Sequence, residues 1–496
     1  ILTVSEFFTG SALFHKSLQT LLFLQNCRKS NKQAKGLIWR KDFMSTQTKK
    51  YEIDMCHGPL LGKILVFYIP LMLSGILQLL FNAADIIVVG QFAGNESLAA
   101  VGSTGALINL IINLFIGLSV GANVLVARYY GANQQAELKE MVQTAIATSV
   151  ISGILLVFVG FFVAKPALTL MGTPDDVVGQ SVLYMRIYFA GMPFMMAYNF
   201  GAAVLRAVGD TKRPLYYLLI AGIVNVILNL IFVIYFSMHV AGVATATVIS
   251  QAISAVLVIR CLLKTDSVYK LELKGIKISM DKLGKMFKIG LPAGVQGALF
   301  SISNVLIQSS VNSFGSVAMA GNTASSNIEG FVYTAMNAVY QTSLSFTSQN
   351  LGGEKFSRID KIKNICLGVV TVVGLVLGWG AVLGGHQLLG IYSSDPEVLS
   401  FGMRRLRIIC GTYFLCGLMD CMVGSLRGMG YSVIPMFVSL TGACAFRVFW
   451  IFTIFAVNRT LEVLYLSYPV SWIITAASHM VTYYIVRKHF PKEDKA

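Results

Sequence analysis

Residues 205–214 read LRAVGDTKRP, and residues 426–435 read LRGMGYSVIP. The two stretches share a leucine-arginine pair, a glycine four residues after the leucine and a closing proline, 221 positions apart. Further matches keep nearly the same offset. Tyr130-Gly131-Ala132-Asn133 matches Leu351-Gly352-Gly353-Glu354, Pro70 matches Pro292, Asn82 matches Asn304, and Thr173-Pro174-Asp175 resembles Ser394-Asp395-Pro396. Loop glycines, prolines and arginines at a constant offset are not what chance similarity between apolar segments produces. The chain reads as two copies of one unit.

Each copy is apolar. Of the 496 residues, 55% are hydrophobic and 12% charged, about half the charged share of a soluble protein. Twelve runs, near 63–90, 98–127, 141–164, 181–205, 214–236, 240–263, 286–312, 318–346, 364–384, 400–426, 434–457 and 463–486, are each long enough to cross a bilayer core. The runs are continuous rather than alternating, and only helices or closed barrels satisfy their backbones in lipid, so helices are expected. The expected fold is an all-α membrane protein with twelve transmembrane helices in two six-helix bundles, 60–263 and 286–487. A cytoplasmic linker at 264–285 joins them, with an N-terminal cytoplasmic segment at 1–59 and a tail at 488–496. Six spans per copy make the copies parallel, about an axis along the membrane normal, with a cleft between them.

The formal net charge is +16. Lys and Arg gather in alternate loops: Lys139; Lys212 and Arg213; Lys264, Lys270, Lys274, Lys277, Lys282 and Lys285; Lys355, Arg358, Lys361 and Lys363; Arg487 and Lys488. The loops at 91–97, 237–240 and 314–317 hold none. Both termini are therefore expected in the cytoplasm, and the short loops point to a bacterial plasma (inner) membrane. The same clustering explains the charge without a nucleic-acid partner. Arg186, Arg404, Arg405 and Arg407 break the pattern and are expected to face an aqueous cleft. Eight cysteines are scattered with no CxxC pair and read as small buried hydrophobes. The first methionine is Met44, and the apolar patch at 12–24 is broken by His15, Lys16 and Gln19. Translation is expected to start at Met44, which makes 1–43 foreign to the native protein.

Four motifs, in order, resemble the multidrug and toxin extrusion (MATE) family. They are PLM at 70–72 followed by NAAD at 82–85 and VG at 89–90, LRAVGDTKRP at 205–214, GVA at 242–244 with AT at 246–247, and LRG at 426–428. The resemblance covers 60–487. It implies a V-shaped pair of six-helix bundles around a central cleft, and antiport of amphipathic, often cationic, drug-like molecules against Na+ or H+.

Asp85 carries the coupling chemistry in this reading. An unpartnered carboxylate inside an apolar span costs roughly 2.5–3.5 kcal/mol on insertion scales, so its presence points to function. Ser74, Gln78 and Asn82 share its helix face, and the family places an essential acid at the position of Asp85. Asn225 and Asn229 lie four apart on the fifth span. Their amide oxygens suit a hard cation, and they suit interhelical hydrogen bonds equally. Many relatives have Asp where Asn229 stands, which leaves Asp85 as the single carboxylate for one Na+ or one H+. Thr247 is a fourth candidate, so a Na+ site is expected at Asp85, Asn225 and Asn229, with no other cofactor. Opposite Asp85 the second half has Ile307 and Gln308, so coupling is expected in the first half only.

The second half carries its own polar stripe: Asn304, Gln308 and Asn312, then Asn322, Ser326, Glu329, Tyr333, Asn337 and Gln341. Glu329 either attracts a cationic substrate or forms a structural pair with Arg447. Asn199 and Asp420 are repeat-equivalent, each seven residues before a loop arginine, and Asp420 either meets substrate or pairs with Arg427. Gln78, Asn82, Asn199, Asn304, Gln308, Glu329, Tyr333 and Asp420 are thus the expected cleft residues. Met192, Phe194, Met195, Met196 and Tyr198 offer an adaptable apolar surface or ordinary packing. Gly117 with Gly121, and Gly374 with Gly378, read as close packing within one chain, in keeping with a monomer surrounded by membrane lipid.

Three functions compete. The first is the antiporter. The second is a flippase for lipid-linked precursors, which needs inward-facing basic residues, with Arg186, Arg405 and Arg447 as candidates. The third is a membrane-embedded enzyme, against which stands the lack of any nucleophile–base set or ATP-binding motif. Energy from an ion gradient follows from that last lack.

Overall fold

The computed structural model describes residues 51–494 except residue 276. The Met44 start, the 12–24 patch and Cys27 lie outside the described residues. Among the described residues every regular element is helical. The first half comprises α1 (Leu60–Phe92), α2 (Asn95–Gly131), α3 (Gln135–Leu170), α4 (Asp175–Ala190), α5 (Met192–Ala207), α6 (Lys212–Leu230) and α7 (His239–Lys264). The second comprises α8 (Met280–Asn312), α9 (Ser316–Gly352), α10 (Phe356–Leu383), the short α11 (Gly385–Gly390), α12 (Pro396–Thr412), α13 (Phe414–Gly428), α14 (Val433–Ser439), α15 (Phe446–Trp450) and α16 (Leu461–Arg487).

The repeat is written into the backbone. Gly94 and Gly315, at φ 86° and 94°, precede α2 and α9, and Gly209 and Gly430, at φ 95° and 94°, close the two LR-containing turns. Asn133 and Glu354 adopt φ 53° and 54° after α2 and α9. Non-glycine residues seldom enter this left-handed region, so its recurrence 221 residues later reflects one chain path used twice. Wider π turns occur at Ile231–Tyr235 beyond α6, and at Leu440–Ala445 and Ile451–Phe455 on either side of α15.

Eight described helices are long and apolar enough to cross a membrane, nine when α12 and α13, bent by 44°, count as one span. This is a multi-pass membrane protein. The remaining expected spans are α4 with α5, at 16 residues each, α9 and α16. Polar groups occupy α9 because it packs inside the protein, where Asn322, Glu329, Thr342, Ser343, Gln349 and Asn350 are all buried.

The halves meet backbone to backbone where α2 crosses α8. A Cβ on Gly117 would sit 2.2 Å from the Gly294 nitrogen, and one on Gly121 2.4 Å from the Met286 carbonyl. Only glycine permits that approach. Gly374 and Gly378 likewise press on Phe414 and Cys410, so both glycine pairs pack within the chain. The base of α1 reaches into the core of the second half, where Phe67 meets Phe346 edge-on at 5.5 Å. The segment before α1 ties the halves together. Met55 N donates to Gln349 Oε1 at 3.1 Å, and Asn350 Nδ2 donates to the Met55 carbonyl at 3.0 Å. Three residues earlier, the Glu52 carboxylate accepts from the hydroxyls of Tyr130, Ser267 and Tyr269 at 3.1, 3.0 and 2.7 Å.

Candidate functional site

In the first half, α1 is seated on α6 because Gly222 has no side chain. A Cβ there would lie 1.8 Å from the Phe81 ring. One turn beyond Phe81, Asp85 meets the amide of Asn229, whose Nδ2 donates to Asp85 Oδ1. Thr247 of α7 lies 3.4 Å from Asp85 Oδ2 and 2.9 Å from the Val243 carbonyl, and its one proton serves these acceptors in turn. Asn229 Nδ2 also reaches Asn225 Oδ1 at 3.3 Å, and Asn225 Nδ2 reaches Thr247 Oγ1 at 3.5 Å. All four residues expected to couple ions thus converge from three helices. Asp85 forms no ion pair among the described residues, and Asn229 Oδ1 is buried with no partner. One carboxylate, two amide carbonyls and a hydroxyl are an oxygen set that fits a hard monovalent cation, and the carboxylate alone fits a proton.

The sequence reading passed over three neighbours. Gln251, one turn beyond Thr247, has a buried Oε1 without a partner. Tyr184 and Tyr188 stack at 5.9 Å and lie within electrostatic reach of Asp85. Spacings of four from Thr247 and within α4 were the available signal.

A cavity of about 560 Å³, lined mainly by the second half, opens between α2 of the first half and α8, α9, α13, α15 and α16. Asn304, Tyr333 and Asp420 line it. Its wall is aromatic: Tyr333 stacks on Tyr413 at 6.4 Å, Tyr413 on Trp472 at 5.3 Å, and Trp472 meets Tyr468 edge-on at 5.7 Å. Neither Tyr413 nor Trp472 was singled out by sequence, because aromatic residues are scattered through most spans.

The other expected cleft residues are not among those lining this cavity. Gln78 and Asn82 are exposed on α1, and Asn199 Nδ2 bonds back to the Met195 carbonyl at 2.9 Å. Gln308 accepts from Asn322 at 2.8 Å and donates to Asn312 at 2.9 Å. Glu329 pairs with Arg405, and not with Arg447: both carboxylate oxygens accept from the Arg405 fork at 2.7 Å. This also corrects the expectation that Arg405 faces an aqueous cleft, since α12 packs against α9 and buries both groups. Asp420 makes no hydrogen bond to Arg427, whose Nη groups donate to Tyr340 Oη and Gln296 Oε1 at 2.8 Å each. Arg186 lies over the Phe161 ring at 4.5 Å, and Arg404 pairs with Glu462 at 3.1 Å. Of the three arginines that would serve a flippase, only Arg447 lines the cavity. Met192 and Met196 are core residues of the first half.

Comparison with known proteins matches this architecture. The MatE family model matches twice, at residues 70–231 and 292–453. The chain is 27% identical over 382 residues to the probable multidrug resistance protein YoeA of Bacillus subtilis, spanning 76% of this chain and 82% of that protein. It is 20% identical over 364 residues to the multidrug export protein MepA of Staphylococcus saprophyticus, spanning 73% and 80%. A solved outward-facing structure of a multidrug resistance MATE family transporter of the MOP superfamily superposes with a TM-score of 0.82 at 21% identity, covering 88% of this chain and 97% of that one. With the family match repeated across both halves, the chain belongs to the multidrug and toxin extrusion (MATE) family.

Proposed function

We propose that this protein is a secondary active antiporter. It exports small amphipathic organic molecules held in the second-half cavity, in exchange for Na+ or H+ taken up at Asp85, Asn225, Asn229 and Thr247. The observation that carries the reading is the unpaired Asp85 carboxylate beside the orphaned Asn229 carbonyl. The names of the relatives, a multidrug resistance protein and a multidrug export protein, support the same class of cargo.

A cation or proton on Asp85 competes with the amide hydrogens of Asn229 and the hydroxyl of Thr247, and so loosens or resets α1 against α6 and α7. Pro70 inside α1 removes one backbone hydrogen bond and makes that helix the natural place to bend. The base of α1 is packed into the second half, so its bending reaches the cavity side. Such a route couples ion to cargo only if each binds the two conformations of the transporter with different affinity. The reading further places the protein in the plasma membrane as a monomer, with both termini in the cytoplasm.

Cells making the protein are loaded with a panel of fluorescent dyes, and efflux is followed during Na+ jumps and, separately, with a protonophore. Ion-dependent efflux that Asp85→Asn abolishes at equal expression is expected. Efflux unchanged in Asp85→Asn removes the cluster as the coupling site.

A further inference from the structure

The second-half cavity carries the opposite polarity from the first-half cluster. Its lining holds three charged side chains: Asp420, Arg427 and Arg447. Arg447 is 3% exposed and belongs to no ion pair among the described residues. Its Nε donates to Ser471 Oγ at 2.9 Å, and its guanidinium lies 4.2 Å from the centre of the Tyr468 ring. Its two Nη groups have no protein acceptor among the described residues. Arg427 is also buried. Its Nη groups are used by Tyr340 and Gln296, and its Nε has no acceptor. The other buried acid of this half, Glu329, is consumed on both oxygens by Arg405. Asp420 alone therefore leaves the cavity with one excess positive charge. Burying an uncompensated guanidinium is costly, and a charge kept at such a place calls for a counter-ion that comes and goes.

The repeat sharpens the contrast. The two family matches begin at 70 and 292 and end at 231 and 453, an offset of 222. At that offset Arg447 stands where the first half has Asn225, a member of the cation cluster. The prolines that open α6 and α14, Pro214 and Pro435, are 221 apart, and the π turn at Leu440–Ala445, which the continuous α6 lacks before Asn225, intervenes before Arg447; one copy presents amide and carboxylate oxygens while the other presents a guanidinium. π turns flank α15, which holds Arg447, on both sides, and one begins at Ile231, two residues after Asn229; such irregular turns recur at functional sites.

We propose that the cavity takes an amphiphile bearing an acidic group, a carboxylate, sulfonate or phosphate ester, with the acid on the free Nη groups of Arg447 and an apolar or aromatic body against Tyr413 and Trp472. Planar, charge-assisted recognition of an oxyanion is what a guanidinium does best. The volume lies within the roughly 300–1,000 Å³ of sites for drug-sized ligands. The proposal rests on the exporter reading for its direction of transport, and it departs from the cationic cargo that family resemblance implies. An acid leaving as a cation enters moves charge in one electrical sense, so an inside-negative potential drives the exchange.

Three probes with one body separate the outcomes: 2-naphthoate, 2-naphthylmethanol and 2-naphthylmethyl-trimethylammonium. Binding is measured by equilibrium dialysis against the full-length protein in lipid nanodiscs, with empty nanodiscs as blank. The acid is expected to bind about tenfold or more tighter than the alcohol, as a hydrogen bond to a charged group implies, with the ammonium weakest. Arg447→Gln should bring the acid to the level of the alcohol while the alcohol moves by less than about twofold, and Arg447→Lys, which keeps the charge, should retain the order. Equal binding of all three probes, or preference for the ammonium, overturns the proposal on the wild-type protein alone, whatever the folding of the variants. Gradient-driven transport in proteoliposomes is scored separately. Transport that favours the ammonium overturns the acid site and leaves the exporter standing, whereas acid-selective binding without transport of any probe upholds the site and overturns the exporter.

Discussion

Glu329→Gln is the substitution whose cost follows most directly from geometry. Arg405 is 6% exposed and Glu329 5%. Arg405 Nε and Nη2 each reach a Glu329 oxygen at 2.7 Å, and Nη1 reaches Asn322 Oδ1 at 2.7 Å. Asn322 is in turn held by Tyr465 Oη at 3.1 Å and by Gln308 at 2.8 Å. A glutamine keeps the shape but sets an amide NH2 against a guanidinium NH2 and leaves Arg405 buried without a counter-charge. Breaking one side of such a pair costs about 3–5 kcal/mol, some two to three and a half decades in the folding equilibrium. Replacing both groups with apolar residues of similar volume, Glu329→Met with Arg405→Met, should fall within about 2 kcal/mol of wild type, because two desolvation penalties vanish with the attraction. Arg405→Met alone should cost less than Glu329→Gln, since a stranded carboxyl can take up a proton and a guanidinium cannot shed one. The assay is a denaturant titration in detergent, followed by tryptophan fluorescence, of Glu329→Gln and of the closed cycle of wild type, Glu329→Met, Arg405→Met and their double variant. A coupling energy of about 3 kcal/mol is expected from the cycle. Single variants each losing under about 1 kcal/mol, with additive effects, would show the pair behaving as a solvated one and would refute the reasoning.

Other consequences are as direct. Gly117→Val should separate α2 from α8 and abolish transport, with a loss of about 1–3 kcal/mol or more, whereas Gly105→Ala, where a Cβ meets nothing within 4 Å, should be neutral or stabilising by up to about 1 kcal/mol; the denaturant titration and dye efflux score both. Gly222→Val should push the Phe81 ring aside and part Asp85 from Asn229, so that efflux loses its ion dependence at undiminished membrane expression. Burial pushes the Cys56 thiol up to about 11, and its Sγ lies 3.6 Å from the Gln349 carbonyl in the seam between the halves. Maleimide labelling of Cys56 at neutral pH, read by peptide mass spectrometry, should therefore be slow at rest and speed up during turnover with ion and cargo present; a fast, turnover-independent rate would mean that the seam does not open and close.

The repeat was legible because the two turns at 205–214 and 426–435 need glycine at φ near 95°, a demand that leaves a letter in the sequence. The cation cluster was legible for a different reason. An acid in an apolar run has to be accounted for, and Asn225 with Asn229 share a helix face by spacing alone. The partner of Glu329 was not legible. Arg405 and Arg447 are both arginines of the second half, and the choice between them depends on α12, rather than α15, lying against that face of α9. The stripe on α9 divides in two: Tyr333, Asn337 and Gln341 line the cavity, while Asn322 and Glu329 are taken up by Arg405, since periodicity shows that a face is turned from lipid without saying what it meets. Beyond the stripe, Ser345 bonds Asn123 at 3.0 Å and Gln349 bonds the Ala207 carbonyl at 3.2 Å, so the polar groups at the end of α9 fasten one half to the other. The charge of the cavity emerged only from knowing which arginines already have partners.

The central claim is that cation and cargo are exchanged through Asp85. It is tested most directly in proteoliposomes loaded with whichever dye the cells export, with Na+ uptake followed by radiotracer and H+ uptake by an internal pH dye. For the wild-type protein, dye running out down its own gradient should pull one of the two cations inward against no gradient of its own, in fixed proportion. In Asp85→Asn, dye exit and the cation uptake coupled to it should both fall to the level of empty liposomes. Undiminished, dye-driven cation uptake in Asp85→Asn would contradict the account.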